Sequence, residues 1–208
     1  MGQKVNPRGF RTGVNLDWRV SWYADKNYGR NLLEDKKIRD TISQNYGAAG
    51  ISDLLIERTP HLKVTLLVAK PGMVIGRGGS GLNQLRDLLA KSVGVKVDVL
   101  IEEVKNPDLS PRLVGESIVR SILRRMPAKR VMNQTADRVM ARGALGVKII
   151  VAGVLSGPSS ISRRERTVRG SVPAQTLRSN VIFARTTAFT SYGTLGIKVW
   201  IYLGEKEA

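Results

Sequence analysis

Apolar and polar positions along this chain change period several times, and each change marks an element. A helix is predicted over about Tyr28–Tyr46, ended by Gly47. Two apolar runs follow, Ile51–Glu57 ("ISDLLIE") and Leu62–Ala69 ("LKVTLLVA"). The turn Arg58-Thr59-Pro60-His61 lies between them, so they read as a hairpin. Pro71-Gly72 stops the second strand, and a short helical turn, Met73–Ile75, leads into a glycine-rich loop. Leu82, Leu85, Leu88 and Leu89 then repeat at helical spacing over Ser80–Ser92, before Gly94. A third strand over 95–104 alternates, with Val95, Val97, Val99 and Ile101 on one face and Asp98 and Glu102 on the other.

Asn106-Pro107-Asp108 reads as a boundary. Beyond it two helices are predicted, over 111–125 and 129–142, broken at Pro127. Strands follow near 147–154, 164–169, 181–187 and 196–203, the last with Ile197, Val199, Ile201 and Leu203 on one face. Residues 1–16 show no periodicity and no acid, and read as an extended basic arm. The predicted fold class is α+β with two domains behind that arm, over 17–106 and 107–208. The second domain is two helices packed on a mostly antiparallel four-stranded sheet.

Charge narrows the function. The 208 residues carry a net charge of +17 while 42% of them are hydrophobic, so a packed core coexists with strong self-repulsion. An acidic partner is implied. Nucleic acid comes first and an anionic membrane second, because the basic residues mostly do not share one amphipathic helix with a bulky apolar face. Residues 51–105 hold eight Lys/Arg against six acids, whereas 110–190 hold fifteen against three, a net of +12. The second domain is therefore the main electrostatic footprint. Arg130, Gln134, Arg138 and Arg142 form one stripe on its second helix. Arg120 and Arg124 are also like-charge neighbours at helical spacing, a repulsion that phosphate would offset; a solvated face is the plainer alternative. The stretch "SRRERTVRG" adds Arg163, Arg164, Arg166 and Arg169 as candidate phosphate contacts. Aromatic residues make up only 5%, so stacking on an aromatic platform is not the expected main mode of binding. Trp18, Trp22, Tyr23 and Tyr28 read as packing residues. Trp200 and Tyr202, opposite the apolar face of the last strand, could meet a helix or a partner.

With no cysteine and one histidine, His61, neither a thiolate nucleophile nor a Cys/His metal site is expected. No apolar run is long enough to span a membrane. The N-terminus "MGQKVNPRGFRTG" lacks the apolar core of a signal peptide. No residue set suggests catalysis, and neither a metal nor a cofactor is expected.

The loop "VIGRGGSG" fits the dinucleotide fingerprint at Gly76, Gly78 and Gly81. That fingerprint needs a strand feeding the glycines directly, and Lys70-Pro71-Gly72 plus a helical turn intervene. A P-loop fails too, because Leu82-Asn83 stand where Lys and Ser/Thr are required. The other reading takes only Gly76-Arg77-Gly78-Gly79. A G-x-x-G loop between helices lets a nucleic-acid backbone approach closely. Helix, strand, strand, helix, loop, helix, strand is the order of the prokaryotic-type (type II) KH domain. An unliganded glycine turn is the bland alternative, and the element order with the +17 charge favours RNA.

From end to end the chain resembles the bacterial and plastid small-subunit ribosomal protein number three (S three) family. The stretches that carry the resemblance are "MGQKVNPRGFRTG", "KPGMVIGRGG", "MARGALGVKIIVAG", "GSVPAQTLRSNV" and "TSYGTLGIKVWIY". It implies an RNA-binding protein on 16S-type rRNA in the head of the small ribosomal subunit, in the bacterial cytosol or plastid stroma. It also implies a wall of the mRNA entrance channel beside proteins four and five, with proteins ten and fourteen as head neighbours. By the resemblance, Gln3, Lys4, Asn6, Arg8 and Arg11 go with rRNA contacts of the arm. Lys129 and Arg130 match two basic positions that hold mRNA phosphates and help open structured mRNA. Asn133 stands where a third basic residue is expected. A non-ribosomal KH-domain RNA chaperone or assembly factor is the alternative.

Overall fold

The structure is a computed structural model and describes residues 5–59, 61–155 and 161–205. In chain order its elements are α1 (Pro7–Arg11), β1 (Val20–Ser21), α2 (Tyr28–Tyr46), β2 (Ile51–Arg58), β3 (Leu62–Val68), α3 (Pro71–Ile75), α4 (Ser80–Val93) and β4 (Val97–Glu103). Then come α5 (Pro111–Leu123), α6 (Ala128–Ala141), β5 (Gly146–Gly153), β6 (Arg163–Gly170), β7 (Ser179–Thr190) and β8 (Gly193–Glu205). They form two compact units. One is Trp18–Lys105; the other joins the N-terminal segment up to Asp17 to the chain from Asn106 onward.

In the Trp18–Lys105 unit the sheet order is β1-β2-β3-β4. The β2–β3 hairpin is antiparallel, and β4 returns parallel to β3, pairing Val64 with Val99. Helices α2 and α4 pack against each other over this sheet's core, where Ile38, Ile42, Ile56, Val64, Leu66, Leu85 and Leu89 are fully or almost fully buried. Of the predicted leucine stripe, Leu85 and Leu89 enter the core, Leu82 is partly buried and Leu88 is exposed. The third strand begins later than expected. Val95 lies outside β4 and is exposed, while Val97 and Val99 are buried opposite the exposed Asp98 and Glu102.

An ion-pair network ties α2 to β2. Arg58 donates to Glu34 Oε2 and Asp35 Oδ1, both at 2.7 Å. Arg30 supports Glu34 from one turn away, and Trp22 Nε1 donates to Asp35 Oδ2 at 2.9 Å. Burial raises the Glu34 pKa, but the hydrogen bonds from Arg58 and Arg30 outweigh it, and the carboxyl ends below its ordinary value. Packing was expected of all four aromatic residues near this unit's start. Only Trp22 is partly buried, with its ring 5.4 Å from that of Tyr28. Trp18, Tyr23 and the outer part of Tyr28 are exposed, because β1 is only two residues long and leaves that edge uncovered.

The second unit has sheet order β6-β5-β8-β7, antiparallel throughout. Helices α5 and α6 cover one face. Val114, Ile118, Val131, Met132, Ala136 and Val139 meet Val147, Ile149, Val151, Leu195, Ile197, Val199 and Ile201 there. Gly115 of α5 lies so close to β7 that an added Cβ would meet Thr186 Oγ1 at 2.7 Å.

The N-terminal segment is not the extended arm expected from its composition. Asn6 Oδ1 caps α1 by accepting from the Arg8 amide at 3.0 Å, and Pro7 supplies the preset first turn. Arg11 is 0% exposed. Its guanidinium donates to the carbonyls of Ser179 (2.7 Å), Thr176 (2.9 Å), Pro7 (3.1 Å), and Pro173 and Ala174 (both 3.2 Å). The Asn15 amide donates to the Leu177 carbonyl beside it. The guanidinium engages five carbonyls, three of them from Nη2 alone, and four of the five lie within 173–179, which ties this segment to the second unit.

Candidate nucleic-acid interface

The glycine loop joins two helices, α3 and α4, and no strand feeds it directly. Gly76, Gly78 and Gly79 have φ of 69°, 60° and 82°, values that glycine adopts without steric cost. Gly81 is fixed by space instead, since a Cβ there would lie 2.5 Å from the Val74 carbonyl oxygen. The third glycine of the apparent dinucleotide fingerprint thus lets α3 close onto α4. Arg77 is exposed at the tip, and Ser80 Oγ donates to its carbonyl at 3.0 Å. No side chain caps α4, so its first amide groups and the macrodipole point toward the loop.

Helix α6 presents the expected basic stripe. Arg130, Gln134, Arg138 and Arg142 are exposed, while Val131, Met132, Thr135, Ala136 and Val139 are buried. Lys129 and Arg130 sit in its first turn, at a terminus no side chain caps. They line a surface groove with Pro127, Asn133, Gln134 and Asp137. Neither makes an ion pair among the described residues. Asn133 Oδ1 accepts from Thr167 Oγ1 at 3.1 Å, so the residue at the third basic position is committed to β6. A second groove runs between α6 and β6, lined by Lys129, Asn133, Glu165 and Arg169 among others. Glu165 Oε2 is buried there with no hydrogen-bond partner among the described residues, and with Lys129 and Arg169 it makes the groove mixed in charge.

The remaining candidates divide by what they already touch. Arg142 pairs with Asp108 at 3.3 Å and Arg169 with Asp137 at 3.0 Å, so both are partly neutralised. Arg138, Arg163, Arg164 and Arg166 are exposed and make no ion pair among the described residues. Arg11 cannot reach RNA, because its fork is enclosed by carbonyls; this corrects its expected role as an rRNA contact. Asn6 is exposed and Arg8 half-buried on the same short helix. Gln3 and Lys4 lie outside the described residues.

Two features escaped sequence reasoning. Arg125, between α5 and α6, has φ 62°. The Met126 amide bonds to the Ser121 carbonyl around it, the Schellman pattern that usually carries glycine. An exposed arginine is thus held in a left-handed conformation four residues before Lys129, which only the backbone torsions reveal. Lys148, Arg185 and Lys198 also converge on one sheet face, and strand register alone brings them together. Among the described residues no group of three or more His, Cys, Asp or Glu could hold a metal ion. Nor is any helix there long and apolar enough to cross a membrane.

Comparison with known proteins accounts for both units. A KH domain family model matches residues 37–109, and the model for the ribosomal protein S3 C-terminal domain matches 118–201. The chain is 44% identical over its full length, and the relative's, to the small ribosomal subunit protein uS3 of Thermotoga maritima and to that of Pseudothermotoga lettingae. It is 47% identical to the uS3 protein of Pediococcus pentosaceus over 99% of this chain and 92% of the relative. A KH fold followed by an S3 C-terminal fold, with near-half identity from end to end, places the chain in the uS3 family, whose members are ribosomal proteins and not enzymes.

Proposed function

We propose that this chain binds 16S-type rRNA in the head of the small ribosomal subunit and forms part of the wall of the mRNA entrance channel. The observation that carries this reading is the first turn of α6. Lys129 and Arg130 are exposed there at an uncapped positive helix end, and neither forms an ion pair among the described residues, although Asp137 shares their groove. Such a site holds phosphate without reading bases, which suits a channel that passes every message. Fixed charge resists re-annealing of a strand while translocation supplies the work. Asn133, bonded to Thr167, contributes polarity but no charge. Proteins four and five are the proposed neighbours at the channel, and proteins ten and fourteen in the head. The setting is the bacterial cytosol or the plastid stroma. The G-x-x-G loop with Arg77, the exposed cations of β6, and Asn6 and Arg8 of the N-terminal segment serve rRNA.

Each exposed cation–anion contact is worth about 0.2–1 kcal/mol. Lys129→Ala with Arg130→Ala removes two such contacts and should therefore slow translation through a stable mRNA hairpin roughly twofold to thirtyfold, with less effect on an unstructured message. Single-ribosome or bulk elongation assays on the two templates read this directly. Equal slowing on both would remove the unwinding role.

A further inference from the structure

The face of the second sheet opposite α5 and α6 is built in rows by strand register. One row is Val168, Lys148, Trp200 and Phe183 on β6, β5, β8 and β7; the next is Arg166, Ile150, Lys198 and Arg185; the third is Arg164, Ala152, Gly196 and Thr187. That the helices lie on the other face follows from Asn133 of α6 bonding Thr167, and from Gly115 of α5 meeting Thr186. Trp200 is half-buried, 4.9 Å from the ring of Phe183 and 5.1 Å from Lys148 Nζ. Phe189, on the same face beyond Thr187, is 75% exposed. Arg164, Arg166, Arg185 and Lys198 are exposed, and none makes an ion pair among the described residues. No acid occupies the described positions of these rows.

Lys198 and Arg185 stand directly opposite each other, a like-charge pair that destabilises a sheet. An anion spanning the row would relieve it. On one side of that row lies an aromatic pair, and on the other Ala152, Gly196 and Thr187, with no bulky side chain. Phosphates along a cationic row and bases over neighbouring rings are the two demands of a single nucleic-acid strand. An acidic peptide would use the charge and leave the rings unexplained. We propose that this face binds a single-stranded RNA segment, its phosphates along Arg166, Lys198 and Arg185 and its bases over Trp200 and Phe183. Arg166 and Val168 of the edge strand β6 also line the groove beside Lys129, but Lys198, Arg185, Trp200 and Phe183 do not, and the proposal does not rest on the α6 site.

The test uses the full chain with a twelve-residue oligouridylate as probe. Ultraviolet cross-linking followed by mass spectrometry should mark peptides of β7 and β8. Arg185→Glu with Lys198→Glu should remove those marks and weaken binding about tenfold. The milder pair Arg185→Gln and Lys198→Gln should lower the slope of log affinity against log salt by about 1.4, since each single-strand phosphate contact contributes about 0.7. The Lys129→Ala/Arg130→Ala protein should keep the β7 and β8 cross-links, which separates this surface from the entrance-channel reading. In assembled small subunits the same peptides should cross-link to RNA. Cross-links confined to α6 and the glycine loop, with unchanged affinity in both double variants, would overturn the proposal. So would cross-links from this face to a neighbouring protein in place of RNA.

Discussion

Arg11 shows how one residue type can serve opposite ends. In composition it is one more cation of a basic segment, yet the fold spends its fork on five carbonyls. Burial lowers its pKa, but an arginine remains charged at any physiological pH. Arg11→Met would leave those carbonyls without donors. With charged hydrogen bonds worth about 1.5–3 kcal/mol, a loss of about 2–4 kcal/mol in the second unit is expected. Hydrogen exchange should quicken across residues 173–179. Arg11→Lys keeps the charge and loses the fork geometry, so it should rescue little. Full rescue by lysine would restore the view of Arg11 as a plain electrostatic contact. Arg77, by contrast, combines an exposed tip with flanking glycines whose φ values hold the loop open.

Among the elements, the α2–β2 connection depends on charge as much as on apolar packing. Arg58 bridges two nearly buried carboxylates, and removing one partner of such a group typically costs about 3–5 kcal/mol. Arg58→Met should destabilise the KH unit by that amount at neutral pH, read by urea unfolding of the full chain. The sign of the pH dependence follows from Glu34. Its folded pKa is lowered, so the stabilisation it gives is present above the unfolded value of about 4.3 and fades as pH falls through the folded value. The difference between wild type and Arg58→Met should shrink over that acid range; a constant difference would assign the loss to packing alone. On α5, burial pushes the Glu116 carboxyl up despite Arg112 and Arg120 nearby. That helix therefore gains stability as pH drops, opposite in sign to α2.

For the molecule as a whole, charge is divided unevenly. The second unit holds most of the surplus, and local acids neutralise part of it at Arg142 and Arg169. Replacing Arg138 and Arg163 with Gln should lower the salt slope of rRNA binding by about 1 unit each if each meets a duplex phosphate. Replacing Lys91 and Lys96 in the KH unit, both exposed, should change it much less. Filter binding between 50 mM and 200 mM salt, about the range where such slopes are resolved, measures both. Equal slope changes would place the footprint across both units.

The elements were largely legible in the chain itself. The helix over Tyr28–Tyr46, the hairpin strands, the G-x-x-G context and the two helices after Pro111 all follow from local patterns. Glycine, proline and apolar period act on neighbours within a few residues, and a sequence displays those neighbours directly. The overall charge and its lean toward 110–190 needed no fold either. Tertiary structure decided what depended on distant partners. Arg11 meets residues more than 160 positions away, which turns an expected arm into a packed helix. Trp18 and Tyr23 lack a neighbouring element to cover them, so apolar character alone misjudged their burial. Lys148, Lys198, Arg185 and Trp200 share one face only through the register of three strands, a quantity that no local period contains. Local chemistry specifies elements; long-range pairing assigns each charged or aromatic side chain to core, clamp or surface.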